Sequence, residues 1–62
     1  MNEKYEEIPL GFGIALAQNE KAFNNFAYLT QNRRNEYIER AHAVQSKDEM
    51  QQLVMEIENV EV

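Results

Sequence analysis

A chain of 62 residues has room for one domain, and a domain this small buries only about 60% of the surface its unfolded form exposes, so a thin core and marginal stability are expected. The absence of Cys removes both the disulfide staple and the thiolate metal site that reinforce many very small domains, which makes self-association a live alternative. A formal net charge of −5 works against phosphate backbones and anionic membranes, and no run approaches the ~20 apolar residues of a membrane span. The acidic start Met1-Asn2-Glu3-Lys4-Tyr5-Glu6-Glu7 lacks the basic head of a signal peptide, so a soluble, unexported, cytoplasmic protein is expected.

Residues 1–7 are polar and without a period, and are expected to form a flexible N-terminal arm. Ile8-Pro9 changes the texture: Pro is well tolerated at the first helical position, and a first helix is predicted over 9–18. Phe12 and Leu16 lie one turn apart on a single face. Gly11 and Gly13 weaken this helix by roughly 1 kcal/mol each relative to Ala unless they allow close packing. They do not make a dinucleotide loop, because GxGxxG needs a Gly where Leu16 stands and a strand ahead of it.

Asn19 is a good N-cap for a second helix over 20–29, whose apolar stripe is Ala22, Phe23, Phe26, Ala27 and Leu29, with Asn24 and Asn25 turned to water. The aromatic residues Phe12, Phe23, Phe26, Tyr28 and Tyr37 are of a kind that stacks on bases, but at helical spacing in so short a chain they read first as core. Thr30 caps a third helix over 31–44, on which Glu36 and Arg40 form an i, i+4 pair in the favourable order. Apolar residues then recur at 37, 38, 41 and 44, and again at 50, 53, 54 and 57, the spacing of two successive amphipathic helices. Between them Ser46-Lys47-Asp48-Glu49 has the S-x-x-E form of a capping box and opens a fourth helix over 47–59. Residues 60–62 are expected to fray; Met55 with Val60 and Val62 would offer a small apolar patch.

Charge divides along the chain. Arg33 to Lys47 holds four basic and two acidic residues, net +2, whereas Asp48 to Val62 holds five acidic residues and no basic one, net −5. Mutual complementation of the last two helices is the plain account, and a charged partner surface is the other. Arg33, Arg34, Arg40, His42 and Lys47 are the candidate partner-binding residues; on a helix-turn-helix protein the same stripe would read phosphates, although Glu36 and Glu39 interrupt it.

Catalysis has little to build on. The lone His42 lacks an orienting acid and a nucleophile, since Ser46, four residues on, is committed to capping. The carboxylates Glu36, Glu39, Asp48, Glu49, Glu56 and Glu58 are spaced as a solvated face rather than a metal cage. No cofactor, metal or catalytic residue is therefore expected, and a substrate pocket of about 300 Å³ or more is hard to enclose in so short a chain.

The pattern Ile8-Pro9-x-x-Phe12-x-x-Ala15-Leu16-Ala17-x-Asn19-x-x-Ala22-x-x-x-Phe26-x-x-Leu29-Thr30, followed by Arg34-x-x-Tyr37-Ile38, resembles the C-terminal helical domain of the YdeI/OmpD-associated (bacteriocin-protection) family, and the short stand-alone members of that group. The resemblance runs over roughly residues 8–54, with Gln45 where the family has Glu, and Met50 and Gln52 where its later arginines fall. It implies a helical fold and no catalytic mechanism.

The expectation is an all-α domain over 8–59, its first two helices forming a hairpin against the last two. The predicted core is Leu10, Phe12, Leu16, Phe23, Phe26, Leu29, Tyr37, Ile38, Ala41, Val44, Met50, Leu53, Val54 and Ile57. The expected role is a non-enzymatic, cytoplasmic protein–protein interaction module that meets an unknown partner or itself; the alternative is a small nucleic-acid-binding regulator using the basic third helix.

Overall fold

In the computed structural model, which describes residues 7–61, four helices follow one another with short connections: α1 (Leu10–Ala17), α2 (Glu20–Tyr28), α3 (Gln31–His42) and α4 (Lys47–Glu58). There is no strand among the described residues. The predicted arm falls outside them apart from Glu7, as does Val62 of the predicted Met55, Val60, Val62 patch.

Three of the four helix starts are set by side chains that accept an otherwise orphaned backbone N–H. Asn19 takes the N–H of Ala22, Thr30 that of Arg33, and Ser46 that of Glu49. The reciprocal half of the capping box differs from expectation. The Glu49 carboxylate reaches one residue beyond Ser46 and accepts from Gln45 N–H at 2.8 Å. Pro9 stands just ahead of α1 instead of inside it, and its carbonyl receives Gly13 N–H at 3.0 Å. α3 stops at His42, two residues short of Val44, which lies in the link to α4.

α4 is the hub. It packs against each of the other three helices, most extensively against α2, whereas α3 rests mainly on α4. The expected arrangement is met, α1 packing on α2 and α3 on α4, with the first pair resting on the second chiefly through α4. The reason lies in the core inventory: Leu53, Val54 and Ile57 are all buried, and Ile57 has no exposed surface at all. Against them pack Phe12 and Leu16 of α1, Ala22 and Phe26 of α2, Leu29, and Tyr37, Ile38 and Ala41 of α3. Phe12 and Phe26 meet edge to face, ring centroids 5.6 Å apart at 85°, the arrangement that ring quadrupoles favour.

Six residues sit differently from expectation. Leu10 and Phe23 are outside it, 80% and 52% exposed, because each lies on the outward side of its helix relative to the buried Phe12 and Leu16, or Ala22 and Phe26. Val44 and Met50 cover the rim of the core and are only partly buried. Asn25, expected in water, is buried beside Ala22 and Phe26. Val60, expected to fray, packs against the core and donates its N–H to Ile57 O at 3.1 Å.

Candidate interaction surface

The five basic residues singled out in the sequence do not converge. At 100° per residue, Arg33 and Arg40 share one side of α3 with Glu36 close to them, whereas His42 points to the opposite side. Arg34 is turned back on the fold: its guanidinium donates to Ala27 O at 3.2 Å, to Leu29 O at 2.5 Å and to Gln31 Oε1 at 3.0 Å. It closes the C-terminal end of α2, whose last turn holds no other basic residue.

Arg40 is bound across the helix interface. Its Nη1 and Nη2 donate to Glu56 Oε1 and Oε2 at 2.9 and 2.7 Å, and its guanidinium carbon stands 5.6 Å from the Tyr37 ring centroid. The paired hydrogen bonds stabilise both charged forms, raising the Arg40 pKa and lowering that of the Glu56 carboxyl. The anticipated Glu36–Arg40 pair gives way to this one, and Glu36 instead approaches Arg33 Nε at 3.8 Å. His42 Nε2 lies 2.7 Å from Glu7 O; since a carbonyl only accepts, the nitrogen carries the proton, and the imidazole fastens the segment ahead of α1 to the end of α3. Lys47, exposed at the first position of α4, has no ion-pair partner among the described residues.

Two amides, the unforeseen Asn25 and the predicted cap Asn19, converge at the far end of α4. Asn25 Nδ2 donates into a cluster of three carbonyls, Ile57 O at 3.0 Å, Glu58 O at 3.1 Å and Val60 O at 3.2 Å. Asn19 caps α2 with its Oδ1 and donates from Nδ2 to Glu58 Oε1 at 3.0 Å. The last turn of α4 carries acids and no base, against the negative end of its dipole, and the two amides from α2 compensate for that. The signal was present in the sequence: position 25 falls between 22 and 29 at spacings of three and four, on the buried stripe.

The other overlooked feature is the outer side of α1. Its eight residues, Leu10 to Ala17, include no polar one, so a helix with its back in the core must leave an apolar front. Leu10, Ile14 and Ala17 form that front at spacings of four and three, all exposed. Ile8 lies at its edge, within ordinary contact of where a Gly13 side chain would stand, and half-exposed Phe23 of α2 shares a shallow hollow with Ala17 and the exposed Glu20. Not one charged residue occurs from Ile8 to Asn19.

Around the corner from this front, α1 and the α3–α4 link bound an open trough of about 460 Å³ lined by Gly11, Ile14, Ala15, Val44, Lys47 and Met50, among others. Its volume exceeds what so short a chain was expected to offer, but it is open along its length, and Lys47 is its one ionisable lining residue. Among the described residues no three His, Asp or Glu side chains gather as they would around a metal ion, and no helix is long and apolar enough to cross a membrane. No protein-family model matches the chain, and neither does any curated protein or solved structure at a significant level.

Proposed function

We propose that this protein is a non-enzymatic, cytoplasmic protein–protein interaction module whose contact surface is the front of α1. One observation carries the reading: the most apolar helix of the chain leaves Leu10, Ile14 and Ala17 in solvent, on a helix that itself holds no charged residue. Contiguous exposed apolar surface is costly in a small monomer and is the usual mark of a surface meant to be covered. The basic residues support contact less well, because Arg34, Arg40 and His42 already serve caps and ties within the fold. Arg33 and Lys47 are left as the members of that set best able to meet a partner. The resemblance to the helical domain of the YdeI/OmpD-associated family is in keeping with a binding role and adds no chemistry to it.

A nucleic-acid-binding regulator on α3 is the second reading, supported by the net +2 from Arg33 to Lys47 and weakened by the internal use of those cations. Affinity capture from lysate of the source cells, with and without nuclease, separates the two. The baits are the wild-type chain and a variant carrying Leu10→Glu and Ile14→Glu. A protein retained by the wild type and lost with the variant supports the module. Nuclease-sensitive recovery of nucleic acid by both baits supports the regulator, and recovery of nothing by either defeats both.

A further inference from the structure

We propose that α1 is a hinged strap: it leaves the rest of the fold as one unit, turning about Gln18, while α2, α3 and α4 stay packed on one another. Its own chemistry, its fastening and its place in the chain all lead there.

By its own chemistry α1 is the weakest of the four helices. Asn19, Thr30 and Ser46 each cap the helix that follows them, whereas Pro9 ahead of α1 has no side-chain acceptor to offer. Two of its eight residues are Gly, which disfavours a helix relative to Ala at each position. No charged side chain in its first or last turn answers the helix dipole. At eight residues it falls short of the roughly 12–15 at which an isolated helix begins to hold in water, so α1 unravels once it is undocked.

The fastening is of one kind. α1 carries no polar side chain, so it sends no side-chain hydrogen bond or ion pair to a neighbouring helix, and what holds it is the burial of Phe12 and Leu16. The other three helices are joined by directed bonds as well. Asn25 of α2 donates to carbonyls at the end of α4, and Arg40 of α3 grips Glu56 of α4. α2 and α4 also share the most extensive of the helix interfaces. Removing α1 breaks none of these bonds.

The place in the chain completes the device. α1 is the first of the helices, so it can swing out without dragging another with it. Asn19 caps α2 and donates to Glu58 Oε1 at 3.0 Å, which pins the far side of the hinge, and Gln18 is left to absorb the turn. At the other end the exposed bond from His42 Nε2 to Glu7 O is given up to water. Opening also exposes the fully buried Phe12 ring, so the open form is a minor one, set between the native and the unfolded chain. It uncovers the Phe26 ring, which Phe12 meets edge to face, and the side of α4 on which α1 rests.

Native-state hydrogen exchange of the full chain, read amide by amide by NMR in rising sub-denaturing urea, separates this strap from all-or-none unfolding. Protection at Gly13, Ile14, Leu16 and Gln18 is expected to be about 10-fold or more below that at Phe26, Leu53, Val54 and Ile57. Its dependence on urea should also be shallower, because less surface opens. Asn25→Ala cuts a tie that the open form keeps. Protection of the α4 amides should then fall about 10-fold while that of the α1 amides stays at the wild-type value. Glu56→Gln, a milder cut between α3 and α4, should give the same split at smaller size. Equal protection and equal urea dependence across α1 and α4 in the wild type overturn the proposal. So do α1 amides that fall in step with α4 in either variant, or Phe26 exchanging together with α1.

Discussion

Asn25 shows how one amide can decide the end of a helix. Its two N–H groups are shared among Ile57, Glu58 and Val60 carbonyls, so Asn25→Ala strands acceptors in a place where water reaches them poorly. The expected loss is about 1–3 kcal/mol, a large share of the roughly 3–9 kcal/mol that a chain of this length commands. Urea unfolding should show it, with Asn24→Ala, next door and exposed, within about 0.5 kcal/mol of wild type. Asn25 escaped the sequence reading because an amide beside a second Asn looks like a solvated face, and only its three-dimensional neighbours reveal what it donates to. Arg40 and Glu56 behave differently. Their bond is bidentate but half-exposed, so Glu56→Gln should cost about 1 kcal/mol or less at pH 7. Since the partner lowers the folded-state pKa of Glu56, its stabilising share is present above the ordinary carboxylate range and fades as pH falls through the lowered value. Wild type and Glu56→Gln should therefore converge in stability in acid, and a gap that stays constant from pH 7 down to about pH 2 would exclude this pair as its source.

At the scale of the element, helix starts were the most legible feature. Asn19, Thr30 and Ser46 act locally, within three residues of the N–H each accepts, and short-range chemistry is what a sequence displays directly. Partner choice was less legible, because Arg40 had a suitable acid four residues away on its own helix and took one sixteen residues away on another. α1 was misjudged for a related reason: in a helix apolar on every side, periodicity does not say which side is buried. Phe12 and Leu10 make the contrast measurable. Phe12→Ala should cost about 3–5 kcal/mol and approach global unfolding, whereas Leu10→Ala, barely two residues away, should cost little more than a surface change. The glycines of α1 are not there for room. A methyl group on Gly11 would meet Met50 Cε at 3.9 Å and one on Gly13 would meet Ile8 Cγ2 at 3.7 Å, both ordinary contacts, and neither residue has positive φ. Gly11→Ala is thus expected to raise stability by about 0.5–1 kcal/mol, read as a higher urea midpoint with an unchanged slope.

The molecule as a whole sets a hydrophobic hub against a net negative surface, and the two respond oppositely to salt. α4 supplies the buried Leu53, Val54 and Ile57 and also Asp48, Glu49, Glu56 and Glu58, so the helix that holds the fold together also carries four of the chain's eleven acidic residues. The core stripe of α4 was readable from spacing alone; its centrality was not, because nothing in a one-dimensional pattern says how many neighbours a stripe will serve. The net charge makes salt a discriminator between contacts on different parts of the surface. If two copies meet through the uncharged front of α1, what opposes them is the long-range repulsion of two chains of charge −5, and this is screened over ~30 Å at 0.01 M salt but ~8 Å at 0.15 M. Added NaCl then strengthens self-association, because the apolar contact has no charge pair to lose. If the functional contact instead ran through Arg33, Arg40 and Lys47 to an acidic protein or a phosphate backbone, the same salt would weaken it steeply. If the chain self-associates through that front, sedimentation at ~0.02 and ~0.3 M NaCl shows the associated fraction rising between them, and a fall means that charged side chains, not the front of α1, hold the copies together.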